Sequence, residues 1–225
     1  MVFITGDTHI PHDIHKLKGN RFRKQSELTP NDFVIICGDF GGVWDGGKEE
    51  QYWLTWLGRK NFTTLFVDGN HENHRRLNEY EVVDFHGGKA HRITERVYHL
   101  MRGQVFTIDG MKFFTMGGAS SHDKIFRKEG FSWWPEELPS NVEYDEAVKN
   151  LEAHGWKVDY VITHCAADSI QHKISDYYEH DKLTNFLEVV IKRDLQYKHW
   201  YFGHYHFDQA IDEKHTCVYN RIVQL

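Results

Sequence analysis

Short apolar runs that stop at small or polar residues recur along the chain: VFIT before Gly6-Asp7, FVIIC before Gly38-Asp39, TTLFV before Asp68-Gly69-Asn70, YVIT before His164, and HWYF before Gly203-His204. Unalternating runs of this length, rich in β-branched and aromatic residues, predict strands buried on both faces. Between several of them the period changes. EEQYWLTWLGRK, YDEAVKNLEAHG with Gly155 as a stop, and DKLTNFLEVVIKRDL carry helical spacing or helix-favouring composition. Strands alternating with helices predict an α/β layered fold. Two stretches break the alternation: VFTIDGMKFFTMGG holds an Asp109-Gly110 turn between alternating runs, and QAIDEKHTCVYNRIVQL reads as a second hairpin, so the sheets are expected to be mixed. Residues 119–145 are the least regular stretch and are expected to form a loop or lid over one end of the fold.

No repeat, low-complexity tract or linker signal divides the 225 residues, which read as a single domain over 1–225. With 33 acids against 27 bases the net charge is −6, the wrong sign for a protein held on nucleic acid by charge alone. A phosphorylated substrate therefore needs local positive charge, which bound divalent cations would supply. Cys37, Cys165 and Cys217 are odd in number and lack CxxC spacing, so reduced, mostly buried thiols and a cytoplasmic location are expected. No apolar run approaches the length that spans a bilayer.

Each predicted strand ends in potential metal ligands: Asp7 and His9, Asp39, Asn70 and His71, His164, then His204 and His206. One such residue has a plain reading as a turn former, a helix cap or a hydrogen-bonded histidine. Five motifs at the same structural position do not, because ligands gather where the carboxyl ends of strands converge. Carboxylate, imidazole and amide oxygen together suit a pair of divalent ions such as manganese, iron or zinc, and no cysteine quartet points to structural zinc. Asp39 is the natural bridge, since a carboxylate can span two cations ~3.5–4 Å apart. If the last strand ends at Gly203, His204 and His206 point to the same side of it.

In order, the set GDTH, GD, GNHE, His164 and GHYH resembles the motifs of the calcineurin-like metallophosphoesterase superfamily from residue 6 to residue 206. The resemblance implies two facing mixed β-sheets flanked by α-helices. It implies one ion on Asp7, His9, Asp39 and His206 and a second on Asp39, Asn70, His164 and His204. His71 corresponds to a histidine that binds no metal and either protonates the leaving oxygen or stabilises the transition state. One departure stands out. Ser/Thr protein phosphatases and diadenosine tetraphosphatases usually continue the second motif as GDxxDRG, and that arginine contacts phosphate, whereas this chain reads GDFGGVWDGG. Arg75 and Arg76 are the candidate substitutes, set against the plainer reading of a solvated helix face.

Other residues near the motifs have bland and functional readings side by side. His12 and His15 suit hydrogen bonding or surface positions. Trp133 and Trp134 could stack on a base or pack a core or lid. Gly117-Gly118 suits either a tight turn or a close approach to substrate. The expected activity is hydrolysis of a phosphate mono- or diester by in-line attack of a hydroxide bridging two metals. A nuclease or cyclic-nucleotide phosphodiesterase using the same centre is the alternative enzyme, with a nucleotide or nucleic acid as substrate. A metal-stabilised scaffold without catalysis is the alternative from another class.

Overall fold

The computed structural model describes residues 1–225. Its strands are β1 (Val2–Thr5), β2 (Phe33–Cys37), β3 (Thr63–Val67), β4 (Val82–Phe85), β5 (Gly88–Thr94), β6 (Val97–Leu100), β7 (Gln104–Ile108), β8 (Met111–Met116), β9 (Tyr160–Thr163), β10 (His199–Phe202), β11 (Gln209–Ala210), β12 (His215–Cys217) and β13 (Val223–Gln224). The helices are α1 (Lys48–Gly58), α2 (His74–Leu77), α3 (Asn141–Ala153), α4 (Asp168–Ile174) and α5 (Lys182–Lys192). A seven-stranded sheet runs β13-β1-β2-β3-β6-β5-β4, and a six-stranded sheet runs β11-β12-β10-β9-β8-β7. Both mix parallel and antiparallel pairs.

Alternate residues of the apolar runs serve two different layers, which is why the runs show no polar face. Val2, Ile4, Phe33, Ile35, Leu65 and Val67 meet Phe106, Ile108, Phe113 and Ile162 between the sheets. Their neighbours Phe3, Val34, Ile36 and Phe66 face outward beneath Trp53, Leu54 and Leu57 of α1. On the far side Phe114, Met116, Val161, Trp200 and Phe202 lie under α3, α4 and α5 through Leu151, Ile170, Leu183 and Leu187. Four layers result, helix, sheet, sheet, helix, as expected.

The Asp109-Gly110 turn closes β7 on β8, both residues having positive φ (51° and 75°) and Ile108 pairing with Met111. The C-terminal stretch departs from a simple hairpin. β11 and β12 pair antiparallel, but β13 crosses to the other sheet and pairs with β1. Of the five buried strands expected, the first sheet holds β1, β2 and β3, and β4 to β6, whose short runs alternate, extend it. The irregular stretch holds two 3₁₀ turns, Lys124–Phe126 and Pro135–Glu137. It ends at Ser140 rather than 145, because Ser140 and Glu143 form a reciprocal capping box that starts α3. No helix is long and apolar enough to cross a membrane.

Candidate metal centre

Parallel pairing sets Thr5 beside Ile36 and Cys37 beside Val67, so the loops carrying Asp7, Asp39 and Asn70 leave one edge of the first sheet together. In the second sheet β9 and β10 are parallel, with Ile162 beside Tyr201, and release His164 and Gly203-His204 at the corresponding edge. Because the sheets face each other, both groups of loops meet.

Donor atoms of Asp7, His9, Asp39 and His206 all lie within 4.8 Å of one another. His9 Nε2 is 3.1 Å from Asp39 Oδ2, and His206 Nε2 is 3.1 Å from Asp7 Oδ2. On the other side of Asp39, Oδ1 is 3.2 Å from His164 Nε2, which is 3.3 Å from Asn70 Oδ1. The His204 ring lies 4.9 Å from that of His164, centre to centre. The Asp39 carboxylate thus turns one oxygen to each donor set.

On His9 and His164 the remaining imidazole nitrogen is occupied elsewhere, which aims Nε2 inward. His9 Nδ1 pairs with Asp13 Oδ2 at 2.9 Å, and His164 Nδ1 donates to the Cys37 carbonyl at 2.8 Å. Such partners are what fix the orientation and tautomer of a metal-binding histidine. Backbone geometry points the same way. His9, Asp39, His204 and His206 have φ of 32°, 45°, 68° and 55°, a region that costs non-glycine residues energy and marks functional sites. His204 and His206 lie past the end of β10, so the left-handed turn around buried Tyr205, and not strand alternation, brings them to the cluster. Two glycines permit the close approach: a Cβ on Gly69 would sit 2.1 Å from Asp39 Oδ1, and one on Gly203 would sit 2.2 Å from Asp7 Oδ1.

Asp7 and Asp39 are buried, at 0% and 1% exposure. Burial opposes charge on Asp39, yet the neighbouring His164 charge outweighs it and holds the carboxyl well below its usual range. Conversely, burial disfavours charge on His164, but Asp39 lifts its pKa to about 10. Burial, then the His164 charge, pushes His204 down to about 3. The cluster therefore demands positive charge, and cations replacing the His164 proton would meet that demand. Oxygen and imidazole donors around paired buried carboxylates fit divalent ions.

Supporting groups absent from the sequence reading surround these residues. Glu72, fully buried, accepts from the Phe40 N–H at 2.6 Å and fixes the turn after Asp39. Lys16 donates to the carbonyls of Asp7 and Tyr219. Asn70 Nδ2 donates to Ser121 Oγ at 3.3 Å, and Ser121 Oγ donates to Glu137 Oε2 at 2.8 Å, which leaves Asn70 Oδ1 turned to His164. Glu72 sits inside the GNHE motif and was there to be found. Glu137 has no local signal.

His71 is not among the converging donors. Its N–H donates to Asp39 Oδ1 at 2.8 Å, and its ring stands edge-on to His9 at 5.4 Å. Burial, together with the Arg127, His9 and His164 charges, outweighs Asp39 and lowers its pKa. Arg75 pairs at the surface with Glu136 at 3.0 Å and with Glu129, and Arg76 with the buried Glu50 of α1 at 3.4 Å. The arginine beside His71 is Arg127, from the irregular segment. His12 lines a cleft of about 830 Å³ next to His9, while His15 packs edge-on against Trp53. Trp134 is buried edge-on against Trp44, and Lys124 lies over the Trp133 ring. Gly117 is a close-approach glycine, its Cβ direction 2.1 Å from Asp68 Oδ1. All three cysteines are free and buried.

No curated protein matches the chain. A family model described as calcineurin-like phosphoesterase matches residues 1–208, from the first strand through the GHYH motif. With that match and the paired-sheet fold bearing the ordered motifs, the chain belongs to the calcineurin-like phosphoesterase family.

Proposed function

We propose that the protein is a dinuclear metal-dependent hydrolase of phosphate esters, acting in the cytoplasm. The observation that carries the reading is Asp39, buried between two donor sets with one oxygen facing each. Asp7, His9, Asp39 and His206 would hold one divalent ion, and Asp39, Asn70, His164 and His204 the other. Manganese, iron or zinc suits these donors, and such a pair supplies Lewis acidity and a water acidified enough to attack phosphorus in line.

The chain's own residues do the remainder. Glu72 and the Ser121–Glu137 pair hold the loops and the Asn70 amide in place. His71, with its lowered pKa, rests as a neutral ring whose N–H offers a hydrogen bond to the leaving oxygen, and only its imidazolium form could give that oxygen a proton. The test is elemental analysis after saturation with manganese, with turnover of p-nitrophenyl phosphate and bis-p-nitrophenyl phosphate. About two ions per chain and metal-dependent release of p-nitrophenol are expected. A stoichiometry of one, or no turnover of either ester with both ions bound, overturns the proposal.

A further inference from the structure

We infer that Arg127, carried by the irregular segment between β8 and α3, grips the substrate phosphate and makes this chain prefer phosphomonoesters over diesters. The inference rests on the phosphoesterase reading. It begins from an absence in the sequence: GDFGGVWDGG has no arginine after Asp39. Arg75 and Arg76 turn to Glu129, Glu136 and Glu50, whereas Arg127, from elsewhere in the chain, lies beside His71. Its Nη1 lies 3.5 Å from His71 Nδ1, and its Nη2 lies 3.3 Å from His71 Nε2.

The guanidinium is fixed at its near side and open at its far side. Nε pairs with Asp123 Oδ1 at 2.7 Å, and Nη1 also donates to the Ser132 carbonyl at 3.2 Å. The side chain is only 16% exposed, so it is not a swinging surface arginine. Nη2 has no protein oxygen partner, only the imidazole. An imidazole has at most one acceptor nitrogen, so it cannot satisfy both terminal nitrogens at once. The arrangement leaves charged donors beside His71 that an anionic oxygen would satisfy, and a planar fork suits phosphate.

Charge then separates the substrates. A monoester approaches two negative charges at neutral pH, while a diester carries one and has an oxygen blocked by its second alcohol. The cleft on the His71 side argues against further anionic groups, because Asp13, Asp45, Glu49 and Glu50 line it, with Lys48 as its one lysine or arginine beside four histidines. A phosphomonoester of a neutral or cationic alcohol fits both features better than a nucleic-acid strand does.

The experiment compares manganese-loaded wild type, Arg127→Ala and Arg127→Lys. The readouts are kcat/KM on p-nitrophenyl phosphate and bis-p-nitrophenyl phosphate, inorganic phosphate affinity by calorimetry, and metal content. Losing a charge-assisted contact should lower monoester kcat/KM and phosphate affinity ~10–100-fold in Arg127→Ala. The diester should change by less than about 3-fold, because a singly charged group gains less from the guanidinium. Arg127→Lys should recover part of the loss, since it restores charge without the fork. Equal losses on both esters, unchanged phosphate affinity, or loss of metal would each overturn the assignment, as would a wild type that prefers the diester. If the metal-loaded wild type hydrolyses neither ester, the phosphoesterase reading falls, while the phosphate affinities still decide whether Arg127 grips phosphate.

Discussion

Glu137 offers the sharpest test of how the metal centre is held, because it touches no candidate ligand yet fixes one through a single intermediary. It is fully buried and accepts from the Ser121 N–H at 3.0 Å and Ser121 Oγ at 2.8 Å, while Lys124 Nζ lies 2.5 Å away. Glu137→Gln keeps the shape and removes the charge. One amide oxygen can still accept from the Ser121 N–H, but the new NH₂ then faces Ser121 Oγ. The hydroxyl must turn to accept from it, its proton swings toward Asn70 Nδ2, and two donors confront each other. Asn70 loses the partner of its Nδ2 and its amide is free to flip, taking Oδ1 away from His164.

The magnitudes follow from those contacts. The bond from Ser121 to the carboxylate is worth about 1.5–3 kcal/mol, of which the neutral amide-to-hydroxyl bond that replaces it returns about 1, and the ion pair with Lys124, whose side chain is 31% exposed, adds less than about 1 kcal/mol. Stability should fall by about 1–2 kcal/mol, leaving the protein folded. Loss of an orienting partner typically weakens metal binding ~10–100-fold, here at the site containing Asn70 and not at the one containing His9. A chelator competition titration with manganese, resolved into two steps, reads this directly. Ser121→Ala should reproduce the weakened step, and the double variant should be less than the sum of the singles because both cut the same connection. If Glu137→Gln binds both ions as tightly as wild type while its Tm falls, Glu137 merely props up the irregular segment and the reasoning is wrong.

Asp39→Asn should weaken both sites together, since it deprives each cation of charge, and a titration showing one site intact would refute the bridge. Gly69→Ala should lose metal and activity without touching any ligand, because its Cβ would stand 2.1 Å from Asp39 Oδ1; retention of two ions would show that the loop yields. His71→Ala should lower kcat ~10²–10⁴-fold with both ions kept, and less for p-nitrophenyl than for alkyl esters if the ring donates a proton. Equal losses would leave only electrostatic stabilisation. Burial, then the Arg102 charge, pushes the His74 pKa down to about 3. The folded chain therefore refuses a proton that the unfolded chain takes up near pH 6.5, so stability should fall as pH drops from there toward 3. This residue alone should contribute about 2 kcal/mol of loss by pH 5. His74→Phe should flatten the pH dependence of urea unfolding, and an unchanged slope would rule the residue out.

Legibility in the sequence followed locality. The strands β1, β2, β3, β9 and β10 announce themselves because each is buried on both faces, and the candidate ligands follow their ends within one to four residues. β4 and β5 are half exposed, and β6 has a histidine in its middle, so their weaker pattern is lost among loops. The same holds within the site. Asp7, Asp39, Asn70 and His164 are readable from position, but the residues that orient them are joined across long separations. Asn70 and Ser121 are 51 residues apart, and His71 and Arg127 are 56 apart. Irregular backbone stabilised by side-chain contacts has no periodicity to read, so the segment reads only as irregular and the contacts of Ser121, Arg127 and Glu137 do not show in it.

The histidines at 204 and 206 show why position and mechanism must be kept apart. Strand alternation correctly suggests that both imidazoles reach one place, but β10 has already ended, and left-handed backbone at both residues does the aiming. Together with His9 and Asp39 they form four strained positions, each costing on the order of 1–3 kcal/mol. Buried hydrogen bonds offset that cost. The His9 and Thr8 N–H groups both donate to the Asp39 carbonyl, Glu72 holds the turn after Asp39, and Tyr205, between the two histidines, donates to Gln171 at 2.7 Å in the core. The contacts that offset the strain all lie within the chain, so the loops carrying the candidate ligands are held by protein hydrogen bonds. That is what a site needs if cation affinity is to go into acidifying water and neutralising phosphate rather than into folding the loops.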